Sequence, residues 1–395
     1  MNEIRQIKGG VCAAAGFTAG AAGCGIKTGE ITRDDLAVVF SGHPAAAAAT
    51  FTTNKVKAAP VRISADHLRS ARVRAVVLNS GNANACTGQH GLDDARSMAA
   101  DTAAFLSLKP EQVLVCSTGR IGVPLPVDRI RKGLKSVRLT RNGGTASARA
   151  IMTSDTFPKE IAFEIRTEDG AFRIGGMAKG AGMIDPNMAT MLCVITTDAV
   201  MPRAALKQVL RESVEDSFNR ITIDGDMSTN DTVILLANGQ SGITPAPGVF
   251  RGALDGVTRA LARMIVEDGE GVSRFVEVEV RRAASKADAR RAAEAIANST
   301  LVKCAWAGGD PNWGRILDAV GYSGVKMNES STDIFYDALP VVSGGVAART
   351  PVKKLRQIAA RKAFRVTVDL QVGSASHIVW TTDLTEEYVR LNLGE

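Results

Sequence analysis

The sequence predicts a mixed α/β (α+β) fold in which helices cover sheets. Short apolar runs typical of buried strands alternate along the chain with segments whose apolar residues recur at helical spacing. No repeat or low-complexity linker interrupts this alternation. The 395 residues, of which 45% are hydrophobic and 23% charged, are enough to bury a large core. Because glycine is frequent and aromatic residues are scarce, we expect many tight turns and an aliphatic core.

The first half of the chain contains four predicted elements. They are a strand over residues 74–79, a helix over 93–106, a strand over 113–116 and a short helix over 126–134. Both strands run into segments rich in turn-forming residues, at 80–84 and 117–119. The helical spacing over 93–106 places Phe105 on the apolar face, so we expect its ring to be buried.

The second half alternates in the same way, and its helix signals are clearer. Pro202 suits a first helical turn, and Ser285 is a suitable N-cap. The predicted elements are a helix from 203 to about 218, strands over 220–223 and 232–236, a helix over 254–265, a strand over 275–280 and a helix from Ser285 to about Asn298.

Composition and charge exclude several classes of protein. The formal charge is +7, but the 48 lysines and arginines are scattered and not interleaved with aromatic residues, so we expect no nucleic-acid partner. No apolar stretch is long enough to predict a membrane-spanning helix. The six cysteines include no C-x-x-C pair, so the sequence predicts neither a zinc site nor a disulfide framework. This cysteine pattern favours a reducing, cytoplasmic location. We expect neither a metal nor an organic cofactor.

The usual catalytic signatures are also missing from the sequence. It contains no Walker A motif, no G-x-G-x-x-G after a strand, no G-x-S-x-G and no H-E-x-x-H. The four histidines are isolated from one another along the chain. A nucleophile activated by histidine therefore has no support in the sequence.

One segment, KGAGMIDPNMATMLCVITTDA from Lys179 to Ala199, suggests a different chemistry. Thr190 directly precedes a strand-like run over 191–196, and the small Ala189 leaves its own carbonyl accessible. If the Thr190 hydroxyl attacked that carbonyl, an N-to-O shift and hydrolysis would free an α-amine on Thr190. Such an amine has a pKa of about 7.7 to 8.0 and can deprotonate the hydroxyl of the same residue. A glycine-rich turn that simply enters a core strand is the alternative, and spacing alone leaves both open.

Long ordered stretches of the chain resemble the ornithine acetyltransferase family, the self-cleaving glutamate N-acetyltransferases of arginine biosynthesis. Besides the segment above, the resemblance rests on GFTAGAAGCGIK, DLAVVFSGHPAAAAATFTTNKVKAAPV, LNSGNANACTG, STGRIGVPLP, MTSDTFPK, SFNRITIDGDMSTNDTV, AGGDPNWGRI and GSASHIVWTTDLTEEYVRLN. It implies cleavage between Ala189 and Thr190 into an α segment (1–189) and a β segment (190–395). The segments would remain associated, in an α2β2 assembly.

The resemblance also implies the roles of individual residues. Thr190 would be the nucleophile that carries the acetyl group as an ester. Thr118 and Gly119 match the pair that stabilises the oxyanion, which acts by being oriented in advance toward the developing charge. Lys179 matches a substrate-binding lysine suited to a carboxylate.

Three further substrate contacts follow from the same resemblance. Thr153 matches a hydroxyl that hydrogen-bonds substrate, Glu270 matches a glutamate suited to the amino groups of ornithine, and Asn392 matches a substrate-binding asparagine near the C-terminus. The family carries a Thr or Ser shortly after this asparagine, where this chain has Leu393-Gly394-Glu395. We therefore expect one substrate contact to be missing.

The activity implied is a ping-pong transfer of acetyl from N2-acetyl-L-ornithine to L-glutamate. Acetyl-CoA would be a second donor if the enzyme is bifunctional. Two alternatives stay open: a self-processing amidase, aminopeptidase or specialised-pathway acyltransferase on the same scaffold, and a non-catalytic basic binding protein.

Overall fold

The computed structural model describes residues 3–70, 73–185 and 191–393, and it confirms the mixed α/β class. The chain divides into two compact units. The first unit is Met1–Asn219 with Met227–Ile265, and the second is Arg220–Asp226 with Val266–Glu395. The predicted boundary between segments 1–189 and 190–395 concerns one peptide bond inside the first unit and stays a prediction. Among the described residues, no helix is both long and apolar enough to cross a membrane.

Within the described part of the first unit, nine strands form one sheet. They are β1 (Glu3–Ile7), β2 (Phe17–Ala22), β3 (Leu36–Phe51), β4 (Val73–Asn82), β5 (Val113–Arg120), β6 (Lys159–Thr167), β7 (Gly170–Lys179), β8 (Leu192–Thr197) and β9 (Thr232–Ala237). Their order is β1-β6-β7-β8-β9-β3-β4-β5, and β2 pairs beside β3. The pairs β4–β5 and β8–β9 are parallel, whereas the other pairs are antiparallel.

Helices pack against this sheet. They are α1 (Ala59–Ser70), α2 (Gly88–Leu106), α3 (Val127–Leu134), α4 (Gly144–Ala150), α5 (Arg203–Glu215) and α6 (Pro247–Glu267), with short 3-10 turns at Gly10–Cys12, Pro110–Gln112 and Phe218–Arg220. Apolar residues of α1, α2 and α3 share one core cluster with β3, β4 and β5. On the other half of the sheet, α6 packs on β7, where the rings of Phe250 and Phe172 lie 6.2 Å apart.

The strand β4 is buried on both faces, which explains the continuous run of apolar residues over 75–78. Ala75 and Val77 point into the cluster beneath the helices. Val76 and Leu78 point to the opposite face and pack with residues of β7, β8 and β9. Because neighbouring side chains of a strand alternate between faces, a strand covered on both sides must be apolar throughout. The two halves of the sheet therefore pack on each other with α1, α2, α3 and α6 outside, whereas Ala148 and Ala150 of α4 belong to the core between them.

The long strand β3 joins the two halves. Its first part, Leu36–Phe40, pairs with β4, and β2 pairs along its other edge. Its last part pairs with β9, from Ala46 opposite Ala237 to Phe51 opposite Thr232. The strands β8 and β9 thus lie between β7 and β3, with β8 in register against both of its neighbours.

The second unit has a separate sheet and core. Its strands are β10 (Phe275–Ala283), β11 (Asp333–Tyr336), β12 (Leu339–Ser343), β13 (Val346–Ala347), β14 (Ala363–Asp369) and β15 (Ala375–Thr382), in the order β13-β12-β11-β14-β10-β15. Its helices are α7 (Lys286–Ala297), α8 (Thr300–Ala307), α9 (Trp313–Tyr322), α10 (Val352–Ala359) and α11 (Glu386–Leu391), with a 3-10 turn at Glu329–Ser331. Apolar residues of the sheet and of α7 to α10 form one core. Within it the indole of Trp306 donates to the Tyr336 hydroxyl at 3.2 Å.

Most predicted elements are confirmed, with boundaries shifted by a few residues. The helix α7 begins where expected, because the Ser285 side chain accepts a hydrogen bond from the Asp288 N–H. Three expectations are wrong. The helix α2 begins at Gly88 and leaves Phe105 37% exposed, because the end of the helix contacts the core cluster through Ala103 and Leu106 and not through Phe105. The strand β5 continues through 117–119, and β4 continues to Asn82 within 80–84, although both segments were expected to turn.

The third wrong expectation is the strand over residues 220–223. Ile221 forms only an isolated bridge with Trp380, and the Thr222 N–H donates to the Trp380 carbonyl at 2.9 Å. The Thr222 hydroxyl is turned to the Asn298 amide oxygen at 2.7 Å. A single bridge is too short to continue as a ladder, so the segment is a connection.

Candidate active site

The predicted oxyanion pair lies at the end of the parallel strands β4 and β5. Thr118 is opposite Ser80, and Gly119 is opposite Gly81. Gly119 has φ 133°, and a Cβ placed there would lie 2.3 Å from the Gly81 carbonyl carbon and 2.5 Å from the Asn82 nitrogen. Only glycine permits both this dihedral angle and this approach of two backbones. The glycine is therefore fixed in position by the strand beside it.

A network of buried amides holds these strand ends together. The Ser117 hydroxyl donates to the Asn79 side-chain oxygen at 2.6 Å, and the Asn79 amide donates to the Asn82 carbonyl at 2.9 Å. The side-chain amide of Asn230, two residues before β9, donates to the carbonyls of Ala83 (2.6 Å) and Ser117 (2.9 Å). Satisfied buried networks of this kind restrict backbone motion. The segment that carries Thr118 is thus rigidly supported.

Thr153 and Lys179 meet around a buried aspartate. Asp155 Oδ2 accepts the Thr153 N–H at 3.0 Å and lies 4.0 Å from Lys179 Nζ. Asp155 Oδ1 accepts Lys159 Nζ at 2.6 Å and the Gly180 N–H at 2.7 Å. The side chains of Asp155 and Lys159 are fully buried, and that of Lys179 is 3% exposed. The structure therefore places Thr153 and Lys179, which are both predicted to contact substrate, beside the same carboxylate.

The charged groups around Asp155 control whether it is protonated. Burial alone would raise the pKa of Asp155, but the ammonium groups of Lys179 and Lys159 and the Gly180 N–H outweigh it and lower that pKa to about 2. Asp155 is therefore a carboxylate at neutral pH. The Lys159 ammonium also lies 4.9 Å from the centre of the Phe157 ring, which adds a favourable cation–π contact.

The beginning of β8 is attached to the beginning of β9. The Met191 N–H donates to Asp231 Oδ1 at 3.0 Å, and the Thr232 N–H donates to the Met191 carbonyl at 3.0 Å. Burial raises the pKa of Asp231 well above its ordinary value, against the opposing effects of the Met191 N–H, the Thr52 hydroxyl and the charge of Lys179. Asp231 is thus favoured as a neutral acid. The predicted cleavage residues Ala189 and Thr190 lie outside the described residues.

In the second unit, the structure brings Glu270 and Asn392 together. The Asn392 amide donates to Glu270 Oε2 and to the Tyr388 carbonyl, both at 2.9 Å. The turn that carries Glu270 contacts α11 closely, since a Cβ on Gly271 would lie 2.4 Å from the Tyr388 nitrogen. The Tyr388 hydroxyl donates to Asp224 at 3.3 Å, and burial followed by the charge of Asp224 raises the tyrosine pKa. This arrangement presents carboxylates that suit an amine.

The six described site residues thus form three local groups: Thr118 with Gly119, Thr153 with Lys179, and Glu270 with Asn392. Sequence reasoning missed the buried residues that support them, which are Asp155, Lys159, Asn230 and Asp231. All four lie inside the segments MTSDTFPK and SFNRITIDGDMSTNDTV. Only their position inside stretches that resemble the family could have indicated them, because nothing in the local sequence marks them as buried. Within the described ranges, no three His, Cys, Asp or Glu side chains are grouped as metal ligands would be.

Comparison with known proteins agrees with the resemblance seen in the sequence. The sequence model of the ArgJ family matches residues 18–394. A Geobacter sulfurreducens protein named arginine biosynthesis bifunctional protein ArgJ is 48% identical over 369 residues, covering 91% of this chain and 94% of that protein. A Methanocaldococcus jannaschii protein named glutamate N-acetyltransferase is 43% identical, covering 98% of this chain and 99% of that protein.

A solved structure is also similar in part. It is the ornithine acetyltransferase of Mycobacterium tuberculosis in complex with ornithine. The sequences are 41% identical, the TM-score is 0.43, and the match covers 48% of this chain and all of the solved chain.

Proposed function

The chain belongs to the ArgJ family, and from this we propose that it transfers acetyl from N2-acetyl-L-ornithine to L-glutamate. The products are L-ornithine, which continues toward arginine, and N-acetyl-L-glutamate. The observation that carries the proposal is the family match over residues 18–394, which includes every residue assigned a role in the sequence. The relative named glutamate N-acetyltransferase supports glutamate as the acceptor.

The nucleophile in this proposal is the Thr190 hydroxyl, freed when the bond between Ala189 and Thr190 breaks. The new α-amine of Thr190 takes the hydroxyl proton as the oxygen attacks the acetyl carbonyl of acetylornithine. As the tetrahedral intermediate collapses, the Thr190 α-ammonium returns its proton to the leaving nitrogen, so ornithine departs as a neutral amine and an acetyl ester remains on Thr190. The α-amine of glutamate then attacks this ester, and the threonine hydroxyl is restored.

The fold supports a chain start at this position. Residue 190 directly precedes Met191, whose N–H and carbonyl are both hydrogen-bonded to the start of β9. A new terminus there would be attached to a fixed strand, and positioning of a nucleophile contributes strongly to rate. Both segments would stay together, because β8 and β9 of segment 190–395 pair with β7 and β3 of segment 1–189.

Thr118 and Gly119 stabilise the oxyanion in this mechanism. Their strand end is held by the Asn79, Ser117 and Asn230 hydrogen bonds, so donors at this position would need little reorganisation as charge develops. The close contact with β4 at Gly119 supports the same role, since it leaves the backbone there little freedom.

Charge complementarity supports the assignment of the substrate contacts. Lys179, almost fully buried, suits the carboxylate that acetylornithine and glutamate share. Glu270, with its Oε2 held by the Asn392 amide, suits an amino group of ornithine. Thr153 donates its backbone N–H to the aspartate that Lys179 also faces, and its hydroxyl is assigned to hydrogen-bond substrate.

Three finer features belong to the proposal. Acetyl-CoA acts as a second donor, as the word bifunctional in the relatives' names suggests. The processed segments assemble as α2β2. The enzyme works in the cytoplasm, as the cysteine pattern favours.

To test the proposal, purified protein is incubated with acetylornithine, with and without glutamate, and the ornithine and N-acetylglutamate formed are measured. We expect ornithine release that depends on glutamate and equals N-acetylglutamate formation. Release with acetate as the product would instead assign an amidase. No release, together with one persistent 41.5 kDa band on a denaturing gel, would favour a binding protein.

A further inference from the structure

The turn that carries Glu270 is attached to the beginning of α11 by a threonine that has no role in the proposed mechanism. The Thr385 hydroxyl donates to the Gly271 carbonyl at 2.5 Å. Thr385 directly precedes α11, a position where a threonine oxygen commonly accepts a hydrogen bond from a backbone N–H of the first turn. Among the described residues, its side chain makes no such capping bond. The hydroxyl is therefore bonded to the neighbouring turn and not to its own helix.

The backbone around Glu270 has much conformational freedom to lose. Glu270 lies outside helices and strands, between Gly269 and Gly271. Gly271 has φ 65°, which residues with a side chain rarely adopt, and a Cβ there would clash with the Tyr388 nitrogen of α11. Because glycines lose more backbone entropy on ordering than other residues do, such a turn is ordered only where contacts hold it. The position of the Glu270 carboxylate therefore depends on the contacts that attach its turn to α11.

The chain that follows Glu270 is anchored by a second side chain close to Thr385. The carboxylate of Asp383, which is fully buried, accepts the Ser273 N–H at 2.9 Å. The bond from Thr385 to Gly271 lies between this buried anchor and Glu270. The Thr385 hydroxyl thus extends a fixed attachment to the residue next to the carboxylate.

We propose that Thr385 is a positioning residue for the amine of the substrate. Its hydroxyl holds the Glu270 turn against α11, where the Asn392 amide donates to Glu270 Oε2 at 2.9 Å. Glu270 and Asn392 are then presented to the amine together and need little rearrangement on binding, which favours affinity. This inference rests on the proposed function, since it assumes that Glu270 binds the amine of ornithine.

A purely structural role for Thr385 is the competing explanation. In that case the hydroxyl only stabilises the second unit, and its loss impairs the enzyme whether or not Glu270 is charged. A positioning role acts through Glu270. Once the charge of Glu270 is removed, loss of the Thr385 hydroxyl has little further effect, so the two substitutions are not additive.

The experiment measures kcat and KM for acetylornithine at saturating glutamate in matched variants. Thr385→Val removes the hydroxyl and keeps the shape of the side chain, whereas Thr385→Ser keeps the hydroxyl. Thr385→Val is also combined with Glu270→Gln. Thr367→Val is the control, because the Thr367 hydroxyl donates to Glu279 at 3.0 Å between β14 and β10, away from the turn. For each variant we also measure the inhibition constant of N2-acetyl-L-norvaline, which is acetylornithine without its side-chain amine.

We expect Thr385→Val to lower kcat/KM for acetylornithine about fivefold, mainly through a higher KM, which is the effect of losing one hydrogen bond. In the Glu270→Gln background, the same substitution should lower kcat/KM by less than about twofold. Thr385→Ser and Thr367→Val should resemble wild type. The inhibition constant of acetylnorvaline should stay the same in all variants, because this ligand has no amine for Glu270 to bind.

Three results would overturn the inference in an enzyme that transfers acetyl. They are equal losses with and without the charge of Glu270, weaker inhibition by acetylnorvaline in Thr385→Val, and a Thr385→Ser variant as impaired as Thr385→Val. A Thr385→Val chain that does not fold would overturn it too, since the hydroxyl would then be structural. Absence of ornithine release by the wild type would instead reject the proposed function.

Discussion

The Met191 N–H donates a 3.0 Å hydrogen bond to the buried Asp231 carboxyl group, one residue after the predicted cleavage bond. The Thr232 N–H returns a bond of the same length to the Met191 carbonyl. Met191, the residue that follows the predicted nucleophile, is therefore held through both its N–H and its carbonyl by Asp231 and Thr232. In the proposed mechanism, self-cleavage and acetyl transfer both depend on where Met191 lies.

Replacing Asp231 should slow self-cleavage when the new side chain has no oxygen to accept the Met191 N–H. Asp231→Ala leaves the buried Met191 N–H without its acceptor, and a time course on a denaturing gel should show cleavage slowed about tenfold or more. Asp231→Asn keeps an oxygen acceptor and resembles the neutral acid, so it should process nearly as fast as wild type. Equal slowing of both variants would show that the carboxylic acid itself, and not its acceptor, is required.

The pH dependence of folding should also reveal Asp231. The pKa of Asp231 in the folded state lies above the ordinary 3.8. At a pH between 3.8 and that raised pKa, the folded state holds a proton that the unfolded state has lost. The free energy of unfolding therefore decreases as pH rises through this window. Relative to wild type, Asp231→Asn should become progressively more stable as the pH rises from 3.8 toward the pKa of Asp231 in the folded state.

Urea unfolding measures this difference. Both chains should carry Thr190→Ala, which we expect to remain uncleaved, so that one unbroken chain unfolds. A stability difference that is constant with pH would mean that Asp231 is ionised in the fold.

Gly119→Ala tests the oxyanion assignment. The new methyl group would meet the Gly81 and Asn82 backbone at 2.3–2.5 Å and push the strand end away. We expect kcat for acetyl transfer to fall about 100-fold or more, the effect of losing one oxyanion donor. Gly122→Ala is the matched control: φ is also positive there, at 78°, but a Cβ meets nothing within 4 Å. Equal losses in the two variants would remove Gly119 from the site.

Glu270→Gln tests recognition of the ornithine amine. The substitution keeps the shape and hydrogen-bonding capacity of the side chain beside Asn392 but removes its charge. We expect kcat/KM for acetylornithine to fall about tenfold, since a charged hydrogen bond becomes a neutral one. Glu386→Gln, an exposed carboxylate at the start of α11, should leave the kinetics unchanged. Unaltered kinetics with Glu270→Gln would exclude a substrate contact.

Patterns that depend on near neighbours in the sequence were predictable. The strand β8, the helix α7 with its Ser285 cap and the two-sided strand β4 follow from apolar periodicity and local capping. The end of β5 was not predictable, because Thr118-Gly119 has the composition of a turn. Pairing with β4 keeps it extended, and that pairing is a tertiary contact.

The supporting groups of the site were hidden for a similar reason. Asp155 lies four residues before Lys159 and 24 before Lys179, and only the pairing of β6 with β7 brings the three side chains together. A carboxylate in a polar segment carries no local sign that it will be fully buried. The resemblance to a family provided the residues predicted to contact substrate, whereas the structure adds the buried residues that lie beside them.

The central claim is that the acetyl group passes through Thr190, and intact-mass analysis after a brief incubation with acetylornithine alone tests it most directly. We predict two fragments, 1–189 and 190–395, with the mass of one acetyl group added only to the second and removed again by glutamate. A single unbroken chain that still transfers acetyl, or an acetyl group on fragment 1–189, would contradict the account.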